Sequence, residues 1–236
     1  QRVLAKVTDA SPRRAKALLR LGNLVAVQGE RALSLSLHEA SLHLFRQVGD
    51  RLGTALALRS IGWFYAQVDK AQALHYFQES LAILRALGDD RRVAQLLLAI
   101  AQMTHELYTD YSRARCYVEE SLALAQKLVD TQITAYALQQ LAELTFLQGD
   151  YKEGMRLLQE SLPLIRELGL KQDEGWALTG LTETACHLGD YGAARRYGEA
   201  ARTLFTTLGF KSGLAITMHH LGLSALLAGE PTVAQA

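Results

Sequence analysis

Apolar and small residues recur along this chain in two alternating phrases. The first runs LRLGNLVAVQGE, LRSIGWFYAQVDK, LQQLAELTFLQGD, LTGLTETACHLGD and HHLGLSALLAGE, each ending in a turn. The second follows that turn as EASLHLF, QESLAIL, EESLALA, QESLPLI and EAARTLF. Within the first phrase, Leu18, Leu58, Leu97, Leu138, Leu178 and Met218 stand three residues before Leu21, Ile61, Ile100, Leu141, Leu181 and Leu221. That i, i+3 spacing predicts the buried stripe of an α-helix. A column of small residues, Ala15, Ala55, Ala94, Ala135, Gly175 and Ala215, marks where neighbouring helices come close.

The repeat has a measurable period. Gly22, Gly62, Ala101, Ala142, Thr182 and Gly222 are spaced 40, 39, 41, 40 and 40 residues apart. A second marker, Ser41, Ser80, Ser121, Ser161 and Ala201, always precedes the next first marker by 21 residues. The slippage therefore lies in the turn inside each repeat. The turns around Asp69 and Thr109 lack the glycine found at Gly29, Gly149, Gly189 and Gly229, which predicts a changed geometry there. One helix pair cannot cover both of its apolar faces, so the pairs must stack.

This order of small, aromatic and turn residues resembles the tetratricopeptide repeat. The resemblance is clearest in Leu21-Gly22 with Val25, in Ile61-Gly62 with Tyr65, and in Gly149-Asp150-Tyr151 and Gly189-Asp190-Tyr191 leading to Gly154 and Ala194. Leu or Met replaces the family's tryptophan before the marker, and Ala101, Ala142 and Thr182 replace its glycine. With a period near 40, the chain is similar to the long variant of cell-polarity adaptors, kinesin light chains and bacterial signal-transduction regulators. The resemblance implies an all-α fold, a right-handed α-α superhelix of antiparallel helix pairs. On this phasing the whole chain, 1–236, is one array. Residues 1–10 close a preceding helix, repeats occupy 11–50, 51–89, 90–130, 131–170 and 171–210, and 211–236 is a partial repeat. Such a chain is expected to be part of a longer protein. Apolar surface at both ends would favour end-to-end self-association.

In that family the first helices line the concave face. Carried over position by position, the resemblance puts Asn23, Arg59, Trp63, Gln102, His105, Tyr136, Gln139, Glu143, Phe146, Trp176, Thr179, Glu183 and His219 on it. One reading is a groove in which Trp63, Tyr136, Phe146 and Trp176 give flat apolar contact while the polar residues set orientation. The other is that these aromatics fill gaps between repeats, or cover a surface that touches only the rest of the parent protein. Glu143 and Glu183 make the middle of the face more acidic than its start.

Composition narrows the chemistry. Of 236 residues, 49% are hydrophobic and 21% charged, a balance that folds. Twenty-five Lys and Arg against twenty-four Asp and Glu give +1, so no bulk field draws the chain to nucleic acid. No apolar run is long enough to span a membrane and the start of the chain has no signal-peptide pattern, so a cytoplasmic setting is expected. Cys116 and Cys186 form no CxxC pair and read as small packed side chains. Glu183 and His187 stand four apart, a spacing compatible with metal ligation, but a lone pair of this kind is commonplace, so no metal is expected. Adjacent His219 and His220 point about 100° apart on a helix and cannot chelate together. The paired arginines at 13–14, 91–92 and 195–196 read as solvated surface. With no phosphate-binding loop, nucleophile elbow or zinc-protease signature, neither enzymatic activity nor a cofactor is expected.

These readings converge on a non-catalytic scaffold that binds a protein or peptide segment, which could belong to its own parent chain. The alternative, carried by the resemblance, is a ligand- or peptide-sensing segment of a multidomain bacterial regulator of the STAND ATPase type.

Overall fold

The computed structural model describes residues 11–229, which form eleven α-helices and, among those residues, no strand. They are α1 (Pro12–Val27), α2 (Arg31–Gln47), α3 (Arg51–Tyr65), α4 (Lys70–Ala86), α5 (Asp90–Tyr108), α6 (Tyr111–Leu128), α7 (Thr131–Leu147), α8 (Tyr151–Glu167), α9 (Lys171–His187), α10 (Tyr191–Leu208) and α11 (Lys211–Leu227). The expected helix end at 1–10 and the close of the partial repeat at 230–236 lie outside the described residues. Two compact units divide within α6, one reaching Tyr117 and the other starting at Val118. In the first, α1 pairs with α2 and α3 with α4, while α2 packs on α3 and α4 on α5. In the second, α7 pairs with α8 and α9 with α10, and α11 packs on both α9 and α10.

Turn chemistry sets the helix ends. Gly49, Gly88, Gly149 and Gly189 take φ between 68° and 83°, the left-handed conformation that closes a helix at low cost only for glycine. The aspartate that follows each one caps the next helix. Asp50 accepts from the Gly53 amide, Asp89 from Arg92, Asp150 from Glu153 and Asp190 from Ala193, all within 3.1 Å. The two expected irregular turns are irregular. After α3, Ala66, Gln67 and Val68 turn without any positive φ, and Asp69 caps α4 directly. After α5, the helix runs on to Tyr108 and closes on Thr109 at φ 53°. Val129 fills the position that Gly49 and Gly88 hold in the equivalent turns, with φ 55° on a β-branched residue that is 86% exposed.

Helix pairs are held by hydroxyls and by exchanges of size. Ser41 and Ser80 are fully buried because each donates its Oγ–H across the pair, to the carbonyls of Ala15 and Ala55, both at 2.8 Å. Those carbonyls are reachable because alanine leaves the backbone bare. Ser161 instead donates to Leu158 of its own helix. Where the first-helix marker is glycine, the second helix presents a ring. A Cβ on Gly22 would stand 2.5 Å from the His38 ring, and one on Gly62 would stand 2.5 Å from Phe77. Where the marker is Thr182, the second helix presents Gly198, whose absent Cβ leaves room first for Leu221 and then for the threonine methyl. Phe45 and Phe205 use the same device against Gly53, Gly175 and Gly213.

Most of the predicted stripe is buried, from Leu18 to Leu178 and from Ile61 to Leu181. It fails in α11. Met218 is 37% exposed and Ala215 is exposed as well, because among the described elements it is α9 and α10 that pack on this helix, leaving Ile216, Leu223, Leu226 and Leu227 open too. Cys186 is buried, but Cys116 is exposed, contrary to its expected packing. Buried Ala114 and Val118 lie two residues to either side of it, on the opposite face of α6.

Burial pushes the His38 imidazole below its ordinary pKa, against a weaker upward pull from the Leu19 backbone. Burial lowers His220 as well, together with His219 and His187, against an upward pull from Glu183. Both rings are held neutral, so the unfolded chain takes up protons first as pH falls below 6.5. Stability is expected to decline from that point down to the folded-state pKa values. Glu106 and Glu174 add to the decline only below 4.5, where Lys70 and Gln102, and Lys171 and Arg166, hold them ionised against burial. Urea midpoints measured across this range check the slope, which His38→Phe, copying Phe77 over Gly62, should reduce. By the same measurement, Gly62→Ala should cost about 1–3 kcal/mol through overpacking. Val129→Gly should gain about 1 kcal/mol by relieving the left-handed backbone.

Candidate functional site

The C-terminal half of α1, the first turns of α2 and the C-terminal half of α3 enclose a cleft of about 380 Å³. α1 contributes Asn23 and Ala26, α2 contributes Arg31, Ser34 and His38, and α3 with its following turn contributes Arg59, Ser60, Trp63, Phe64 and Gln67. Among the described residues no carboxylate lines it. The floor is set by the Gly22 contact, which seats the His38 ring, only 3% exposed, against the backbone of α1. From there Nε2 lies 3.0 Å from Asn23 Oδ1, and the neutral ring donates its proton to that oxygen. Ser60 Oγ–H approaches the same oxygen at 3.4 Å from α3. Two donors on one oxygen orient the amide, so that its NH₂ is the group left for other partners. Ser34 Oγ–H is used up on the Gly22 carbonyl, 3.0 Å away.

Charge and apolar surface meet on α3. Arg59 is half-buried, and burial followed by the neighbouring Arg92 guanidinium draws its pKa below the ordinary arginine value. Trp63, one turn further along, is 47% exposed and sets its edge against Phe77, with ring centroids 5.3 Å apart. The cleft therefore combines donors, positive charge and an open indole.

The other expected site residues fall into distinct settings. In the first unit, Gln102 is tied to Glu106 at 3.0 Å, and His105 lies half-buried nearby on α5. In the second unit three of the four aromatics are engaged by neighbouring helices. The Tyr136 hydroxyl donates to Asp173 at 3.2 Å, Phe146 packs against Tyr151 and His187, and Trp176 packs edge-on against Phe205 and Phe210. Those contacts fit the gap-filling alternative for these three rings, whereas Trp63 keeps an open face. Thr179 departs from the expected inward placement. It is 4% exposed, its hydroxyl bonded to Gly175 and Thr217, because α11 packs directly over this stretch of α9. Gln139, Glu143 and His219 retain accessible surface, and Glu183 stands 3.9 Å from His220. His187 stacks on Tyr151 with centroids 4.6 Å apart, and among the described residues no three metal-ligating side chains gather.

Sequence reasoning missed Arg31, His38, Ser60, Phe64 and Gln67. His38 lies on a second helix, outside the face to which the search was confined. Its signal was present in the register, because it stands 16 residues after Gly22 much as Phe77 stands 15 after Gly62.

None of the described helices is long and apolar enough to cross a membrane. No curated protein matches the chain in sequence. Solved structures do match in fold. BtubC (BKLC) from P. vanneervenii superposes with a TM-score of 0.76 at 18% identity, covering 89% of this chain and 88% of that one. A Rap protein complexed with competence and sporulation factor gives 0.75 at 19% identity, over 92% of this chain and 61% of its own. The signal transduction ATPase with numerous domains (STAND) protein with a tetratricopeptide repeat sensor, from Pyrococcus horikoshii, gives 0.83 at 12% identity, over 99% of this chain but 37% of that one. This chain thus spans less than two thirds of each of the last two proteins. A tetratricopeptide repeat model matches residues 13–86 and 133–207, more than half of the sequence. With the paired helices, the glycine–aspartate turns and the small-residue columns in place, the chain belongs to the tetratricopeptide repeat family.

Proposed function

We propose that this chain is a non-catalytic scaffold that binds a peptide segment of a partner protein along the exposed face of its first helices, with the α1–α3 cleft as one anchoring point. The observation that carries this reading is Trp63. A large indole that stays 47% exposed beside a concave, donor-lined cleft is surface that a partner can cover with gain. The partner could equally be another part of the parent chain. The setting is proposed to be cytoplasmic, without direct contact to nucleic acid or membrane. The similar Rap protein, complexed with competence and sporulation factor, supports the use of this fold for recognition.

A second reading has its own support. The likeness to the STAND protein extends over 99% of this chain but 37% of that one. A sensor segment within a larger regulator fits that proportion, and in it ligand capture would be relayed to a neighbouring module.

Both readings depend on an accessible binding face, and the two tryptophans test it. With a peptide selected for binding from a random display library, Trp63→Ala should weaken affinity by about 2 kcal/mol, roughly thirtyfold. Trp176→Ala should chiefly lower thermal stability, because its ring is packed on Phe205 and Phe210. Unchanged affinity in a helical Trp63→Ala variant, measured by calorimetry, removes the cleft from the binding face.

A further inference from the structure

α11 is held by two unlike surfaces. Against α10 the contacts are apolar: Gly198 leaves room for Leu221, and Phe205 lies over Gly213. Against α9 they form a polar seam. At one end Thr179 and Thr217 share a hydrogen bond of 2.8 Å. At the other, the Cys186 thiol, which burial pushes up and so keeps neutral, lies 3.8 Å from the His220 carbonyl and meets the Ser224 hydroxyl. Between these ends the His220 side chain, only 14% exposed, sets Nε2 3.9 Å from Glu183 Oε2, beyond hydrogen-bond reach. Two more imidazoles lie close by. His187 follows Glu183 by one turn of α9 and stacks on Tyr151 of α8, and His219 stands beside His220 with ring centroids 5.5 Å apart. The charged groups that act on His220 are Glu183 and His187 of α9 and its neighbour His219, with none of them on α10.

We propose that this seam is a proton-operated latch: mild acid frees α11 from α9 and α10 while the helices before it in the second unit stay folded. A buried imidazole favours its neutral form, and positive charge on His219 and His187 opposes a proton on His220, so the docked ring sits below its ordinary pKa despite the pull of Glu183. On a freed α11 the same ring meets water and takes up its proton below pH 6.5. The freed form therefore gains protons first as pH falls, and docking weakens from pH 6.5 down to the docked-state value. One carboxylate cannot offset a charge on each of three rings. Release is local because α11 has less to lose than its neighbours. Among the described elements it rests on α9 and α10, and its outward side chains Ile216, Leu223, Leu226 and Leu227 are already open. Undocking uncovers Thr179 and Thr217, which extends the accessible face of α9.

Native-state hydrogen exchange of the whole chain, read by mass spectrometry and corrected for the intrinsic pH dependence of amide exchange, tests this. Amides of α11 should open at least tenfold more often than those of α8 throughout pH 7.5 to 5.5. Their opening constant should rise about tenfold across that range, the effect of one proton taken up by the freed ring. His220→Gln should flatten the rise, and His38→Phe, in the other unit, should leave it intact. Opening of α11 only together with α8, a level that does not change with pH, or a rise that survives His220→Gln each overturns the latch. Should His220→Gln leave α11 unprotected even at pH 7.5, the wild-type ring decides by NMR titration. Its imidazole should titrate below 6.5, and a midpoint at or above that value overturns the proposal.

Discussion

Two helices joined by a turn of two to four residues must pack side by side, and they can do so closely only where one exposes backbone to a side chain of the other. That constraint runs through both units. Gly22 receives His38, Gly62 receives Phe77, and Thr182 is met by Gly198. The volume at each contact is shared between the two positions, so the first-helix marker can grow to threonine if the second helix gives up its side chain. The buried serines belong to the same arrangement, since Ser41 and Ser80 reach carbonyls left bare by Ala15 and Ala55. Each such bond is worth about 1 kcal/mol net, but leaving the hydroxyl unpaired would cost more than that.

The cleft is a by-product of this packing, adapted at one residue. Where the second pair places Phe77, the first places His38, a ring of similar breadth with a polar edge. Seated on Gly22, that edge meets Asn23 of α1, and Ser60 of α3 reaches the same amide oxygen. A core contact and a surface donor are therefore coupled through one hydrogen bond. Burial keeps the imidazole neutral, so His38 adds no positive charge to the arginines around it near neutral pH.

The four aromatics expected on one face separate according to what surrounds them. Tyr136 is taken by Asp173, Phe146 by Tyr151 and His187, and Trp176 by Phe205 and Phe210. Each of these partners lies on an adjoining helix of the same unit, or for Phe210 on the turn before α11, where an aromatic side chain is long enough to bridge the gap. Trp63 touches Phe77 only along an edge, so most of its face stays open beside the cleft. Equivalent positions in a repeat thus share a direction without sharing an environment.

The sequence by itself determined the helix pairs, their period, their two irregular turns and the buried stripe, because those follow from local chemistry: glycine at positive φ, aspartate at the next cap, and apolar residues every three or four positions. It also indicated that Asn23, Arg59 and Trp63 lie on one face, since a helix fixes direction. Only the tertiary structure decided which of those side chains remain accessible. Accessibility depends on neighbours tens of residues away, as when Thr217 of α11 covers Thr179 or Tyr136 finds Asp173. Met218 shows the converse, a stripe residue left open where fewer of the described helices pack.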